Sequence, residues 1–588
     1  MSQRTHTCGE LRAEDIGKPV VLEGWVANRR DHGGVVFVDV RDRYGLTQAV
    51  FRPNTHPEAH KVADMLRSEF VIRIAGEVEP RLEGQENPKL ATGAIEIDGE
   101  TLEILNTATP PPFDLGVNET DTGETTRLKL RYLDLRRPRM QRNIRLRHRM
   151  WKEIRDYYDA EGFYEIETPF LTKSTPEGAR DFLVPSRIEP GHFYALPQSP
   201  QLFKQILMVS GFDKYFQIVR CFRDEDTRAN RQPEFTQLDV EMSFASEDDV
   251  IDNAERLMKR LAKVVLDREV ETPFPRLTYE EAMSRYGTDA PDTRFGVELV
   301  DISDAAAQSE FKVFTSVVAS GGQVRGICAP GGAALSRKEI DELTKVVAEY
   351  GAKGLAWFKV DETGLTSQIA KFFAEDLQKT IIEKIGATPG DLLLCVADKP
   401  DVVNASLAAL RLVIGRRLDL IDETAFNLLW VVDFPLFVWN EEEQRHDSPH
   451  HPFTSPKPED EPLLDSDPLK VKSRAYDLVL NGTEIAGGSI RIHRAELQQR
   501  IFDLLGIGVE EAASRFGFFL RALEYGAPPH GGIAWGLERT LMLFLGEQSL
   551  REVIPFPKTQ RGQCLLTDAP SEVDARQLRD LGIQLRED

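Results

Sequence analysis

From Glu234 to Phe244 the chain alternates in a way that admits one kind of element. Thr236, Leu238, Val240, Met242 and Phe244 make a mostly apolar face, and Phe235, Gln237, Asp239 and Glu241 point the other way. Successive β-strand side chains leave on opposite sides, so this is a strand sealed on one face and chemically furnished on the other. The run Lys214 to Glu225 reads as a second strand, with Gln217, Val219, Cys221 and Arg223 on one face. A merely solvated antiparallel face carries mixed Lys, Glu and Thr. A ring among acids and an amide, with arginine beside them, points to a face that holds a ligand.

Asn481-Gly482 stands between two strand-like runs, a strong signal for a two-residue hairpin. If Leu480 pairs with Thr483, Val479 faces Glu484 and Asp477 faces Ala486. Asp477 and Glu484 are then diagonal neighbours on one face, within reach of one cation. Two carboxylates beside phosphates are a usual Mg²⁺ arrangement. Arg491 is an odd number of residues from Glu484, so an unbroken strand would turn it away; a bulge at Gly487-Gly488 is expected to bring it back. Gly531 to Arg539 is a glycine-rich strand entering an apolar helix, where missing side chains let a ligand approach the backbone. Arg539, in the first turn, could hold a phosphate or stack on a base. No Gly-Lys-Ser/Thr follows, so this is not a Walker A loop, and the flanking order of a Rossmann fingerprint is missing.

The texture of the chain changes along its 588 residues. Residues 1–107 read as all-β, with about five short β-branched or aromatic runs separated by glycine-bearing turns. That pattern suggests a small closed barrel of the OB type, which stacks single-stranded bases on aromatics beside a basic groove. Arg29, Arg30, Phe37 and Gln48 suit that work. Residues 107–123, with Pro110-Pro111-Pro112, read as a linker. A helix follows with Leu146, Met150, Ile154, Tyr157 and Tyr158 on one face, capped near Gly162, and then a strand from Phe163 to Pro169. Residues 291–420 look like an α/β insertion, with helices at Ser336–Tyr350 and Asp401–Leu418 and strands at Leu355–Val360 and Leu392–Val396. His446 to Pro462 reads as a loop.

A net charge of −23 argues against a polyanionic partner until its distribution is considered. Arg127 to Arg155 holds ten arginines and two lysines against Asp134 and Glu153, either the footprint of a phosphate backbone or a solvated basic helix face. No run free of charged residues exceeds 14 residues (Pro190 to Phe203), too short to span a membrane. The start of the chain has no apolar secretory core. The five cysteines lie far apart, which fits reduced thiols in a cytoplasm and offers no zinc site.

Taken together, these segments resemble the three signature motifs of the class II aminoacyl-tRNA synthetases. The helix and strand ending at Pro169 are similar to motif 1. Phe222-Arg223-Asp224-Glu225 with Arg231-Gln232-Pro233-Glu234-Phe235 is similar to motif 2, and Gly531 to Arg539 to motif 3. Three strings resemble the bacterial type of aspartyl-tRNA synthetase: Ser174 to Phe182, Gln198 to Gln205, and His450-His451-Pro452-Phe453-Thr454-Ser455-Pro456. The resemblance implies an α+β multidomain chain. An OB-fold anticodon-binding barrel (1–107) and a linker or hinge (108–135) precede an antiparallel-sheet catalytic domain (136–290 and 421–564). That domain is interrupted by a GAD-type domain (291–420) and followed by a C-terminal extension (565–588).

The resemblance also implies activation of L-aspartate by ATP, with Mg²⁺, and transfer to the 3′ end of tRNA(Asp). Arg223 and Arg539 are then the catalytic positions, the first at the α-phosphate and the second at the far phosphates. Asp224, Glu225, Gln232, Phe235, Glu484, Gly536, Leu537 and Glu538 complete the ATP site, and Asp477 and Glu484 hold the metal. Glu177, Ser199, Gln201, Lys204, Arg223, Asp239, His450 and Arg491 bind aspartate, with a guanidinium offering its carboxylate a bidentate match. In the barrel, Phe37 stacks on an anticodon base while Arg30, Gln48 and Glu96 read base edges. His32 and Gly84 resemble the relaxed forms that also charge tRNA(Asn). The rivals are a form restricted to tRNA(Asp), a lysine or asparagine enzyme of the same subclass, and an inactive RNA-binding paralogue. A homodimer through motif 1 is likewise implied.

Overall fold

The computed structural model describes residues 4–118, 121–175 and 179–586. One compact unit comprises residues 1–149, 226–232 and 547–573, and a second comprises 150–225, 233–546 and 574–588.

In the first unit five strands close into a barrel, in the order Pro19–His32, Val35–Arg41, Leu46–Phe51, Ile95–Asn106, Val71–Pro80. Alternation drives it: Val36, Val38 and Val40 are buried with Leu22, Ile72 and Ile74, while Phe37 and Asp39 stay on the outer side. Closure removes the exposed edges of the sheet. The basic stripe differs from its phosphate-footprint reading. Arg131 and Arg137 are buried and share Asp134, and Arg131 also donates to the carbonyls of Arg551, Ile554 and Pro555. Arg127 pairs with Glu552, Arg139 with Glu547, and Arg136 joins Arg41 on Glu69. A planar fork of five donors can satisfy several carbonyls at once, and here those donors bind the unit internally.

The second unit is built on an eight-stranded sheet, ordered Arg276–Thr278, Leu428–Val432, Ala475–Leu480, Thr483–Ile490, His530–Gly536, Glu234–Ser243, Lys214–Phe222, Tyr164–Glu165. The two edge strands pair parallel and the rest antiparallel. Phe235 pairs with Cys221, Gln237 with Val219 and Asp239 with Gln217, which forms the furnished face read from the sequence. The hairpin starts as expected, with Leu480 opposite Thr483 and Val479 opposite Glu484. Its bulge falls at Ile485 and not at Gly487-Gly488, so Asp477 faces Gly487 rather than Ala486. The glycines must stay in register because a Cβ on Gly488 would lie 2.2 Å from the Gly532 carbonyl, whereas Ile485 is buried by the bulge. Arg491 still returns to the Glu484 side.

The strand expected from Phe163 to Pro169 contracts to Tyr164–Glu165, a short sheet edge. The insertion is a five-stranded sheet whose pairs are all antiparallel, with apolar clusters on both faces. Leu392, Leu394 and Val396 serve one cluster, and Leu393 and Cys395 the other. The C-terminal segment is exposed but carries a short helix, Ala575–Leu581, capped by Asp574. Among the described residues, no helix is long and apolar enough to cross a membrane.

The start of the insertion is held by buried Arg411, which donates to the carbonyls of Asp292, Phe295, Gly296 and Val297 and lies 4.2 Å over the Phe295 ring. Arg411→Met leaves those carbonyls without their donor. It is expected to destabilise the chain by about 3 kcal/mol, measured by chemical denaturation of the full-length protein.

Candidate active site

The deep end of the furnished face is a cluster of buried charges. Pro200 precedes the helix Gln201–Val209, so Gln201 and Lys204 sit three apart on one helical face. The Lys204 ammonium lies 2.9 Å from Asp239 and 3.4 Å from Glu241. Arg491 meets Glu241 through Nε (2.9 Å) and Nη2 (3.1 Å). Burial raises the Asp239 carboxyl above its usual range against the pull of Lys204. Burial acts on Glu241 too, but Arg491 and Lys204 outweigh it and hold that carboxyl below its usual range. Two cations therefore face one carboxyl held below its usual range and one held above it, all four groups packed within hydrogen-bond distance of a partner.

Arg491 differs from its expected bidentate role. Besides the two bonds to Glu241, its Nη1 donates to Ser489 Oγ (2.6 Å) and to His451 Nε2 (2.8 Å), leaving a single Nη2 N–H for a ligand. Sequence reasoning missed His451, Ser489 and the role of Glu241. The alternation that selected Asp239 places Glu241 on the same face, and the His-His doublet was the available signal for His451. The His450 ring stands edge-on to Phe434 at 4.6 Å. Burial, helped by the Arg491 charge, lowers it to about 4, so it is neutral near pH 7.

Several of the selected side chains keep buried polar atoms without a protein partner: Gln201 Nε2, Asp239 Oδ2, His450 Nε2 and Arg223 Nε. Each such atom costs about 1–3 kcal/mol if nothing meets it, so each needs a partner from outside the chain, water or a ligand. Near Gln198 and Ser199 lies a cavity of about 290 Å³, lined also by Lys173, Asp181 and Phe518.

The other end of the face carries the nucleotide candidates. Phe235 and Glu241 are on one strand, ~20 Å apart at ~3.3 Å per residue. The Arg223 guanidinium lies 5.1 Å over the Phe235 ring, and the Asp224 N–H donates to the Arg180 carbonyl. Arg539, entering the helix Leu537–Phe544, donates to the Glu484 carbonyl at 2.8 Å. Asp477 and Glu484 converge over Gly487: a Cβ there would lie 2.5 Å from Asp477 Oδ1 and 3.7 Å from Glu484 Oε1. Burial, and then Glu484 and Asp289, push the Asp477 carboxyl well above its usual range. Glu538 uses its carboxylate on the Thr236 N–H, and Leu537 is buried, so what Gly536–Glu538 can offer a ligand is main chain.

Some selected positions lie elsewhere. Glu177 falls outside the described residues. Gln232 belongs to the first unit, where its carboxamide accepts from the Lys558 N–H at 2.8 Å. On the barrel, Arg30 donates to Asp39 and to Gln48, which in turn donates to Glu96 at 2.8 Å. The Phe37 ring meets the His32 ring edge-on at 6.0 Å. Gly84 has a φ of 79° and open space around it.

An OB-type barrel with an antiparallel sheet carrying these motif residues defines a class II tRNA synthetase. The family profile described as tRNA synthetases class II (D, K and N) matches residues 123–560, and the OB-fold nucleic acid binding domain profile matches residues 20–105. The Aspartate--tRNA(Asp/Asn) ligase of Natranaerobius thermophilus is 56% identical over 99% of both chains, and that of Aquifex aeolicus 55% identical over 100% of this chain and 99% of its own. The chain belongs to the aspartate–tRNA(Asp/Asn) ligase family. Among solved structures, the asparaginyl-tRNA synthetase from Pyrococcus horikoshii complexed with asparaginyl-adenylate superposes with a TM-score of 0.60 at 19% identity, covering 95% of this chain and 99% of that one. The aspartyl tRNA synthetase from Entamoeba histolytica gives 0.57 at 20% identity, covering 94% and 90%. These two likenesses speak to the fold alone.

Gly532 faces Glu241 across the sheet, and a Cβ there would lie 2.1 Å from Glu241 Oε2 and 2.1 Å from the Val240 carbonyl. Gly532→Ala must push Glu241 off Arg491. It is expected to lower kcat/KM for the amino acid about 100-fold, or ~2.7 kcal/mol, read by amino-acid-dependent ATP–pyrophosphate exchange.

Proposed function

We propose that the protein activates L-aspartate with ATP to aspartyl-adenylate, releasing pyrophosphate, and transfers aspartate to the 3′ end of tRNA(Asp) and of tRNA(Asn). The observation that carries the choice of aspartate is the buried Lys204–Arg491 pair over Asp239 and Glu241. A lysine pocket would offer acids to its substrate, and an asparagine pocket would not pair two cations. The neutral side chain of asparagine would leave buried N–H groups without a charged acceptor, a loss of several kcal/mol, about 1–3 for each group.

In this reading the chain acts by positioning and charge, as in-line attack of a carboxylate on the α-phosphate demands. Lys204 and Arg491 take the side-chain carboxylate. Gln201, with Glu177 and Ser199, takes the α-amino end, while Asp239 orients the cations and His450 closes over the amino acid. Arg223 holds the α-phosphate as charge builds, and Arg539 clamps the far phosphates. Phe235 stacks on adenine, with Asp224 and Glu225 completing the nucleotide site. The converging carboxylates of Asp477 and Glu484 would hold Mg²⁺, which would offset the charge of the phosphates.

Phe37 would stack on an anticodon base, and Arg30, Gln48 and Glu96 would read base edges, a reading supported by their shared hydrogen-bond network. His32 touches the Phe37 ring, and Gly84 leaves its loop without a side chain; both support acceptance of tRNA(Asn). We read residues 1–107 as the anticodon-binding domain, 108–135 as the hinge, 136–290 with 421–564 as the catalytic domain, 291–420 as the insertion and 565–588 as an extension. A homodimer is supported by the exposed Tyr164 and Phe212, whose rings meet edge-on at 6.4 Å at the Tyr164–Glu165 sheet edge. The same reading places the protein in the cytoplasm.

Aspartate-dependent ATP–pyrophosphate exchange without tRNA is expected, with asparagine inactive; absence of exchange leaves only RNA binding. Purified tRNA(Asn) incubated with labelled aspartate is expected to yield Asp-tRNA(Asn). No product there, with tRNA(Asp) still charged, restricts the activity to tRNA(Asp).

A further inference from the structure

We infer that His451 is a positioning residue for recognition of the substrate's side-chain carboxylate: its imidazole accepts from Arg491 and, with Glu241 and Ser489, fixes which N–H of that arginine faces the ligand. The inference rests on reading Lys204 and Arg491 as the aspartate pocket.

Three acceptors hold the guanidinium. Glu241 takes Nε and one Nη2 hydrogen, Ser489 takes one Nη1 hydrogen, and His451 Nε2 takes the other at 2.8 Å. Without His451 that last N–H would compete for the ligand, or the plane could turn about the Glu241 contact. Both ring nitrogens face a donor, Arg491 Nη1 at Nε2 (2.8 Å) and the Phe453 N–H at Nδ1 (3.2 Å), and a neutral imidazole accepts at only one of them. The shorter contact from the charged donor takes the lone pair to Nε2 and leaves the proton on Nδ1, where Thr454 Oγ1 at 3.4 Å is the group able to accept. Arg491, His450 and Lys204 all act on the ring against a second proton, while the Glu241 carboxylate is bonded to Arg491. An imidazolium would set Nε2–H against an arginine N–H. Burial and the Arg491 charge accordingly hold the ring well below the usual histidine range.

The ring is also held in place, as a positioning role requires. Phe453 is buried with its centroid 5.1 to 6.1 Å from those of Phe502, Phe516 and Phe519. The backbone beside it is pinned by Ile492 N–H to the Phe453 carbonyl and Ser455 N–H to the Ile490 carbonyl, each 2.9 Å. Gln498 Nε2 donates to the Pro452 carbonyl at 2.8 Å. The loop carrying the histidine doublet is thereby tied to the strand that carries Arg491.

Two substitutions separate positioning from filling space. His451→Leu keeps an apolar bulk and loses the acceptor, whereas His451→Gln places a carbonyl oxygen at similar reach. In ATP–pyrophosphate exchange, His451→Leu is expected to raise KM for aspartate about 30-fold, the loss of one hydrogen bond to a charged group, with kcat and KM for ATP nearly unchanged. His451→Gln is expected to recover most of that loss. Equal effects of the two variants, or equal shifts in both KM values, overturn the inference. Arg491→Leu is the control. If it leaves KM for aspartate unmoved, the pocket reading itself fails; if it raises KM while His451→Leu does not, only the role of His451 fails. Should the leucine variant not fold, a crystal structure of the wild-type protein with aspartate decides. His451 Nε2 within hydrogen-bond distance of Arg491 Nη1 upholds the role, and separation of the two refutes it.

Discussion

Four charges taken out of water at one end of a sheet set the terms for the second unit. Lys204, Asp239, Glu241 and Arg491 are essentially buried, and each would cost several kcal/mol if left without a partner. They are tolerable only because they lie within hydrogen-bond distance of one another, and they come from a helix and from two strands separated in the sheet by a third. The strand between them, His530–Gly536, must then be nearly bare. Gly532 lets Glu241 reach Arg491, and Gly488 lets its strand press against the Gly532 carbonyl. The glycine-rich motif thus serves the charge cluster before it serves any ligand.

The same strands fix the distance between the two halves of the site. Register in a hydrogen-bonded sheet admits no gradual adjustment, since a slip of one residue turns every side chain over. The charge cluster at Asp239 and Glu241 and the ring of Phe235 are therefore held at a set spacing along Glu234–Ser243. The one irregularity, at Ile485, lets Glu484 and Arg491 share a face while the isoleucine packs below. Donors aimed before the substrate arrives need no rearrangement when charge develops.

Arginine is used in two opposite ways. Where it is buried against carbonyls and carboxylates, as at Arg131, Arg137 and Arg411, it binds segments together. Where a donor is left over, as at Arg223 Nε and one Nη2 hydrogen of Arg491, it waits for an anion. The difference lies in the count of acceptors around the guanidinium, and a run of arginines in a sequence does not reveal that count. The stripe from Arg127 to Arg155 drew attention as a candidate RNA footprint for this reason, although several of its members are internal struts.

Local pattern by itself determined a good deal. Alternation in Glu234–Ser243 fixed the face that carries Phe235, Gln237, Asp239 and Glu241, although Phe244, expected on the apolar side, lies past the strand end and is exposed. Asn481-Gly482 fixed the hairpin and valine alternation the barrel, because strand geometry acts over two residues and turn geometry over four. Lys204 was legible in a string that resembles a known family, and Arg491 as a position the same resemblance implies. Tertiary structure alone decided the position of the bulge, the shrinking of the Phe163–Pro169 strand to a two-residue edge, the internal fate of the basic stripe, and the enclosure of Arg491 by Glu241, Ser489 and His451. Those outcomes depend on which distant groups compete for the same donors and the same space. Such competition exists only once segments hundreds of residues apart have been brought within a few ångströms.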